Sequence, residues 1–177
     1  MSTTTWTVDP LHSEILFKVK HLVISTVTGS FKTFSGTAVT NDEGFENAQI
    51  DFTMDVNSID TRQESRDAHL KSADFFDATL FPDITFTSTA FKKNGDDEYK
   101  LLGNLTMKGV TKPVELNVEY GGSQVDFYGT KKVGFEVTGK INRKEFGLTY
   151  NAITETGGLA LGEDIKLIAN IQVAQQS

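Results

Sequence analysis

The sequence predicts an all-β protein: an extended antiparallel barrel of eight or more strands, with one helical insertion near residues 62–77. Three observations predict it. Apolar and polar residues alternate with period two in run after run, tight-turn dipeptides separate the runs, and a single stretch departs from the pattern. An open sheet of this many strands would leave vulnerable edges, and closure removes them.

The elements follow in chain order. Ile15, Phe17 and Val19 alternate with Glu14, Lys18 and Lys20, and only Leu16 breaks the rule. Residues 27–39 read as a further strand. Ile50, Phe52, Met54 and Val56 then oppose Asp51, Thr53 and Asp55. Residues 62–76 read as helix: Thr61 with Glu64 fits a capping box, Ala68, Leu70, Lys71 and Ala73 are tolerable helix formers, and Pro82 ends the excursion. A stretch this long between two strands is expected to pack across one mouth of the barrel. Ile84, Phe86, Ser88 and Ala90 form the next inward face, opposing Thr85, Thr87 and Thr89. The pair Asn94-Gly95 predicts a hairpin, and the acidic run 94–98 reads as its solvated tip. Leu101, Gly103, Leu105 and Met107 come next, then a turn at Lys108-Gly109. Val114, Leu116, Val118 and Tyr120 lead to a turn expected at Gly121-Gly122. Val133, Phe135, Val137, Gly139 and Ile141 follow, and Ile165, Leu167, Ala169, Ile171 and Val173 end the series.

One domain over residues 1–177 is expected from the length. The net charge of −7 argues against nucleic acid, which is bound through clustered Lys and Arg. It also disfavours stable docking on an anionic membrane, while leaving room for brief collisions with a bilayer. The chain has no cysteine, so disulfides, thiolate metal sites and a cysteine nucleophile are excluded. No run of about 18 apolar residues is present, and no stable membrane insertion is expected. The opening residues show neither a basic segment nor an apolar stretch, which predicts a cytoplasmic location.

The inward faces mix Phe17, Phe52 and Phe86 with Gly29, Ser88, Ala90, Gly103, Gly139 and Ala169. Small residues among large ones suggest room inside, although periodicity alone leaves a packed core and a cavity both open. The chain carries thirteen Phe, which can line an apolar pocket without unpaired donors. Three of them, Phe75, Phe76 and Phe81, lie off the strands and would build the cap. The expected lining is Phe17, Val19, Phe31, Phe52, Met54, Phe75, Phe76, Phe86, Leu105, Leu116, Phe135, Val137 and Leu167. Such a wall would take a long apolar molecule, with selectivity set by length and width.

Residues suited to chemistry are few. His12, His21 and His69 could serve acid–base or metal chemistry. His12 and His21 lie nine residues apart, roughly 30 Å along an extended strand, which argues against a shared metal. Asp9, His12 and Ser13 contain the residue types of an acyl-transfer triad, but neighbours in sequence rarely converge in that geometry, and no GxSxG elbow is present. Arg66, Asp67, His69 and Lys71 are expected as exposed helix charges with one Arg–Asp interaction. The alternative is that Arg66 or Lys71 meets an anionic head group at the mouth. Residues 142–147 read as turn chemistry. Gly121-Gly122 and Gly157-Gly158 lack a phosphate-loop pattern. No catalytic residue set and no cofactor is predicted.

Four ordered blocks carry a resemblance that runs nearly end to end. The first is Trp6, Asp9, His12, Ser13, Phe17 and His21, followed by Val27, Gly29 and Phe31. The second is Ile59, Asp60 and Thr61 with Arg66, Asp67, His69 and Lys71, then Asp74, Phe75, Phe76, Asp77, Phe81, Pro82 and Phe86. The third runs from Gly103 through Leu105, Thr106, Gly109, Thr111 and Lys112 to Val114. The fourth is Ile141, Asn142 and Arg143 with Glu145, Phe146 and Gly147. In these blocks the chain resembles the YceI-like family of bacterial lipid-binding proteins. The resemblance implies a lipocalin-like extended barrel around an elongated apolar tunnel, with polyisoprenoids such as quinone side chains as ligands. It implies no catalytic residue. It also implies a homodimer, since several members are dimeric, and many relatives work in the periplasm.

The leading expectation is therefore a carrier or sequestering protein for an isoprenoid or similar long-chain amphiphile. The alternatives are an enzyme on a lipidic substrate with His21 or His69 as general base, and a stress-related interaction module with a packed barrel.

Overall fold

The computed structural model describes residues 3–21, 25–41, 44–149 and 161–176, with the side chain of His21 outside that set. Gly157-Gly158 also lies outside it.

Eleven strands and one α-helix occur among the described residues. The strands are β1 (Thr3–Val8), β2 (Glu14–His21), β3 (Ser25–Phe31), β4 (Phe34–Asn41), β5 (Gln49–Asp55) and β6 (Ile59–Asp60), followed by β7 (Asp83–Lys93), β8 (Glu98–Met107), β9 (Val110–Val125), β10 (Lys131–Asn142) and β11 (Leu161–Gln175). Every pairing is antiparallel, and the first strand meets the last, Val8 opposite Val173. β1, β4, β5 and β7 to β11 close a ring of eight, and β2, β3 and β6 extend it from β11.

The extension arises because three staves of the barrel are broken midway. β11 pairs with β2 along its first part and with β1 along its last. Between those two strands Pro10–His12 makes a 3-10 turn, capped by the Asp9 carboxylate accepting from Leu11 N at 3.1 Å. Proline suits that first position because it has no N–H to lose. The β5 to β6 stave breaks in the same manner at Val56–Ser58, where Asp55 accepts from Asn57 N at 2.9 Å. The stave between them breaks at Lys32 and Thr33, which bond across to Ser58 O and from Asp55 N. The expected single strand over residues 27–39 is therefore two, and Val56 belongs to a buried turn rather than to β5.

The helix α1 (Glu64–Lys71) is shorter than the pattern suggested, and the capping box does not form. Arg62 takes a left-handed φ of 66°, which separates Thr61 from the helix start. Gln63 becomes the N-cap and makes no side-chain cap bond. Thr61 is buried instead, giving its N–H and O–H to Asp67 Oδ1 at 2.8 and 2.5 Å. Arg66 donates to Thr61 Oγ1 and O at 2.7 and 2.6 Å. The expected Arg–Asp interaction thus runs through a threonine. Turns then carry the chain from Ser72 to Leu80, with Phe76 N bonded to Leu70 O.

Two further expectations are corrected by bulges. The register between β7 and β8 shifts between Ser88 and Ala90, so Ala90 faces Leu102 and Phe91 turns inward against Leu101. Gly121-Gly122 is no turn; Gly134 faces Gly122 while Phe135 faces Tyr120, leaving Gly121 as the extra residue of a bulge inside β9. The hairpin turns later, where Asp126 N bonds to Thr130 O. The Lys108-Gly109 turn has positive φ at both residues, 51° and 74°, the geometry that tight hairpins require.

The core lies inside the ring. At one end sit α1, the 3-10 turn Arg143–Phe146 and the Lys108 turn, tied together where Lys108 Nζ donates to Ala73 O and Gly147 O. The other end carries the β7–β8 and β9–β10 turns and the segment 44–48.

Candidate functional site

The glycines facing inward do not create the room the sequence suggested. A Cβ at Gly29 would stand 2.3 Å from Phe17 Cζ, one at Gly36 2.5 Å from Phe52 Cδ2, and one at Gly103 2.4 Å from Phe86 Cζ. At Gly139 the Leu116 side chain fills the same place, 2.3 Å away. Each glycine is a seat on which a neighbouring side chain lies flat against the wall, so the missing Cβ is used for packing.

Space remains along the axis all the same. A cavity of about 470 Å³ lies inside the barrel, with a wall that is almost wholly hydrocarbon and aromatic. That volume lies within the usual range for small-molecule sites, roughly 300–1,000 Å³. All thirteen side chains expected as lining from the sequence stand on this wall. Strand alternation places ten of them, Phe17 through Leu167, from β2, β5, β7, β8, β9, β10 and β11. Phe31 closes β3, and Phe75 and Phe76 come from the turns after α1.

At the helical end Phe31 meets Phe17 at 5.5 Å and Phe76 at 6.2 Å, so strand and cap form one aromatic wall. Toward the other end stands a second aromatic group. Phe45 touches Trp6 and Phe135, each at 5.0 Å between centroids, and Phe135 meets Tyr120 at 5.8 Å. Trp6 is fixed by its indole N–H donating to Thr40 Oγ1 at 3.1 Å.

Polar side chains reach the wall chiefly at the helical end, where Arg66, His69 and Arg143 border it. His69 Nε2 lies 2.9 Å from Asp74 Oδ2, and the imidazole stands edge-on to Phe75 at 5.1 Å. Arg143 is only 3% exposed and donates from Nε to Gly162 O at 2.7 Å and from Nη1 to Leu148 O at 2.6 Å. Burial pushes this guanidinium below its ordinary value, with Glu163 opposing the shift.

Other candidates are not brought together. His12 pairs with Asp9 at 2.8 Å on the exposed 3-10 turn, while Ser13 Oγ accepts from Gln172 N at 2.9 Å. Lys71 does not line the cavity. No group of three or more His, Asp or Glu suited to a metal occurs among the described residues. No helix among the described residues is long and apolar enough to cross a membrane. Sequence reasoning missed Phe45, Phe91 and Arg143 as wall residues. Phe91 was out of phase through the bulge, Phe45 lies in a turn, and Arg143 had been absorbed into a turn motif whose burial no local pattern announces.

Comparison with known proteins bears on this cavity. A family model described as the YceI-like domain matches residues 6–173. Protein YceI of Salmonella newport (strain SL254) is 39% identical over 165 residues, spanning 93% of this chain and 83% of that protein. The Campylobacter jejuni YCEI protein is 34% identical, with a TM-score of 0.74 over 90% of this chain and 91% of that one. Burkholderia cenocepacia BcnA shares the fold at a TM-score of 0.80 and 23% identity, over 93% and 98% of the two chains. So does a polyisoprenoid binding domain from Saccharophagus degradans, at a TM-score of 0.68 and 15% identity over 95% and 97%.

Proposed function

The chain belongs to the YceI-like family, and from that premise we propose that it carries or sequesters a long-chain apolar ligand, most simply a polyisoprenoid of quinone or polyprenyl type, in its barrel. The observation that carries this reading is the cavity inside the barrel, whose wall is almost wholly aliphatic and aromatic. Transfer of hydrocarbon from water supplies the driving force: at about 0.8 kcal/mol per methylene, one five-carbon isoprene unit contributes about 4 kcal/mol before ordering costs. A few units suffice. The tail would lie along the axis, with its polar head toward Arg66 and His69, where the wall gains hydrogen-bond donors. The fold shared with a polyisoprenoid binding domain supports the same ligand class.

Mass spectrometry of a chloroform extract of the native protein tests it directly. A long-chain isoprenoid lipid, near one per cavity, is expected, and Val137→Trp, which puts an indole into the cavity, is expected to lose it. Protein that purifies empty and takes up neither farnesol nor geranylgeraniol overturns the reading. Size exclusion with light scattering on the same preparation gives the oligomeric state, for which the family resemblance predicts two copies.

A further inference from the structure

We propose that the barrel end where Phe45 packs on Phe135 docks transiently on a lipid bilayer through the tip of the β9–β10 hairpin, a step that rests on the carrier reading for its purpose and not for its geometry. The hairpin outruns β8 on one side, while on the other β11 accompanies it as far as Ala174 opposite Lys132. Pairing of β8 with β9 ends at Glu98 opposite Glu119, yet β9 and β10 remain paired out to Val125 opposite Lys131. At the tip the backbone is tightly held: Asp126 Oδ1 accepts from Tyr128 N and Thr130 N, both at 2.9 Å, and Gly129 N bonds back to Asp126 O at 3.0 Å. This ordered turn presents two aromatic rings to water, Phe127 98% and Tyr128 88% exposed, set at right angles 5.7 Å apart. Val125 beside them is 66% exposed.

The shape and charge of the tip select the occupant. A narrow convex turn offers no groove for a peptide and no flat face for a globular partner, but it can sink into the soft boundary between head groups and acyl chains, where Tyr and other amphipathic rings settle. The chain as a whole has a net charge of −7, but residues 120–135 contain one acid, Asp126, against Lys131 and Lys132. Asp126 is itself paired with Lys132 at 3.5 Å, and Lys132 also reaches Asp9 at 3.4 Å. The tip itself is therefore close to neutral, and the acids of this end, Asp96, Asp97 and Glu98, lie at the base of the hairpin, where Tyr120 N bonds to Asp97 O. It is also continuous with the cavity. Phe135, on the same hairpin, lines the cavity and contacts Phe45, so the hairpin that docks also forms part of the cavity wall.

The test is flotation and loading with phosphatidylcholine vesicles carrying geranylgeraniol, comparing the purified chain with a Phe127→Ser/Tyr128→Ser variant whose fold is verified by Trp6 emission. Loading by the native chain should rise with vesicle concentration, and the variant should load slower by roughly tenfold or more, since two exposed rings carry most of the apolar area at the tip. Uptake of farnesol from water should be equal in both. Equal loading from vesicles overturns the docking, as does light scattering that shows the native chain paired through this tip and the variant single. Failure of both proteins to take up farnesol from water overturns the carrier reading instead, and flotation still decides the docking.

Discussion

Phe17 lies across Gly29 on the adjoining strand, its Cζ 2.3 Å from where a glycine side chain would begin, and the two residues face each other in register. Phe86 covers Gly103 in a similar way, but there the Thr87 carbonyl oxygen also stands 2.6 Å from the absent Cβ. The two seats differ in what can move. A ring tip beside a cavity can swing away, whereas a strand carbonyl cannot.

Gly103→Ala should therefore destabilise the protein more than Gly29→Ala. Overpacking of this kind costs about 1–3 kcal/mol, with Gly103→Ala at the upper end. Urea midpoints of the two variants give the order, and Gly29→Ala should also displace Phe17 inward and reduce the lipid retained.

Phe52→Asp should abolish lipid retention while leaving a folded barrel, since Phe52 is only partly buried and borders the cavity. An ionised carboxylate there would have to be stripped of water by an apolar tail, an expensive exchange. Extraction and mass spectrometry would read the loss, and circular dichroism the retained fold.

Arg143→Met should cost roughly 3 kcal/mol, because the Gly162 and Leu148 carbonyls lose charged donors in a buried place. Arg143→Lys should recover little of it, as an ammonium cannot span the two carbonyls in the planar fork. Thermal or urea unfolding measures both.

His69→Gln separates carrier from enzyme. His69 borders the cavity and pairs with Asp74, the arrangement a general base would use. Lipid retention within about twofold of native is expected, consistent with an energy change under ~0.5 kcal/mol. Turnover of a lipid that vanishes in this variant would establish catalysis instead.

Acid should weaken the fold as pH falls through the ordinary carboxylate range, beginning with Glu163, which Lys144 holds below its ordinary 4.5. Asp9, held by hydrogen bonds from His12 and Leu11, and Asp126, held by the N–H groups of Thr130 and Tyr128, both lie below the ordinary carboxylate value of 3.8. Asp60, beside Lys32, is lowered likewise. A lowered folded value means that the native state favours the ionised form. The stabilisation from these aspartates is complete above 3.8 and disappears as pH falls through the lowered values. Urea midpoints should be level between pH 7 and about 5 and decline below about 4.5, less steeply in Asp126→Asn.

The barrel was legible because its long strands alternate cleanly, and the inward faces could be read where a stretch is free of bulges, as along Leu101–Met107, Val133–Ile141 and Ile165–Val173. What escaped had physical causes. β1 is built from Thr3, Thr4, Thr5 and Thr7 around Trp6 and Val8, only two apolar residues in alternation and so too few to mark a strand. The breaks at Pro10–His12 and Val56–Ser58 depend on aspartate caps and on bonds between neighbouring staves. Bulges at Thr89 and Gly121 shift the phase by one residue, which period-two counting cannot register. Glycines facing inward suggested emptiness, yet whether a glycine leaves a gap or receives a ring is decided by the next strand.

The meeting of Val8 with Val173 has a temporal meaning. Until the final stretch leaves the ribosome, the opening strand has no mate on one side, and the apolar lining stands open along a seam. A nascent chain stalled before residue 161 would be an open trough, prone to clump and a target for chaperones, so the ring can close only after β11 has been made.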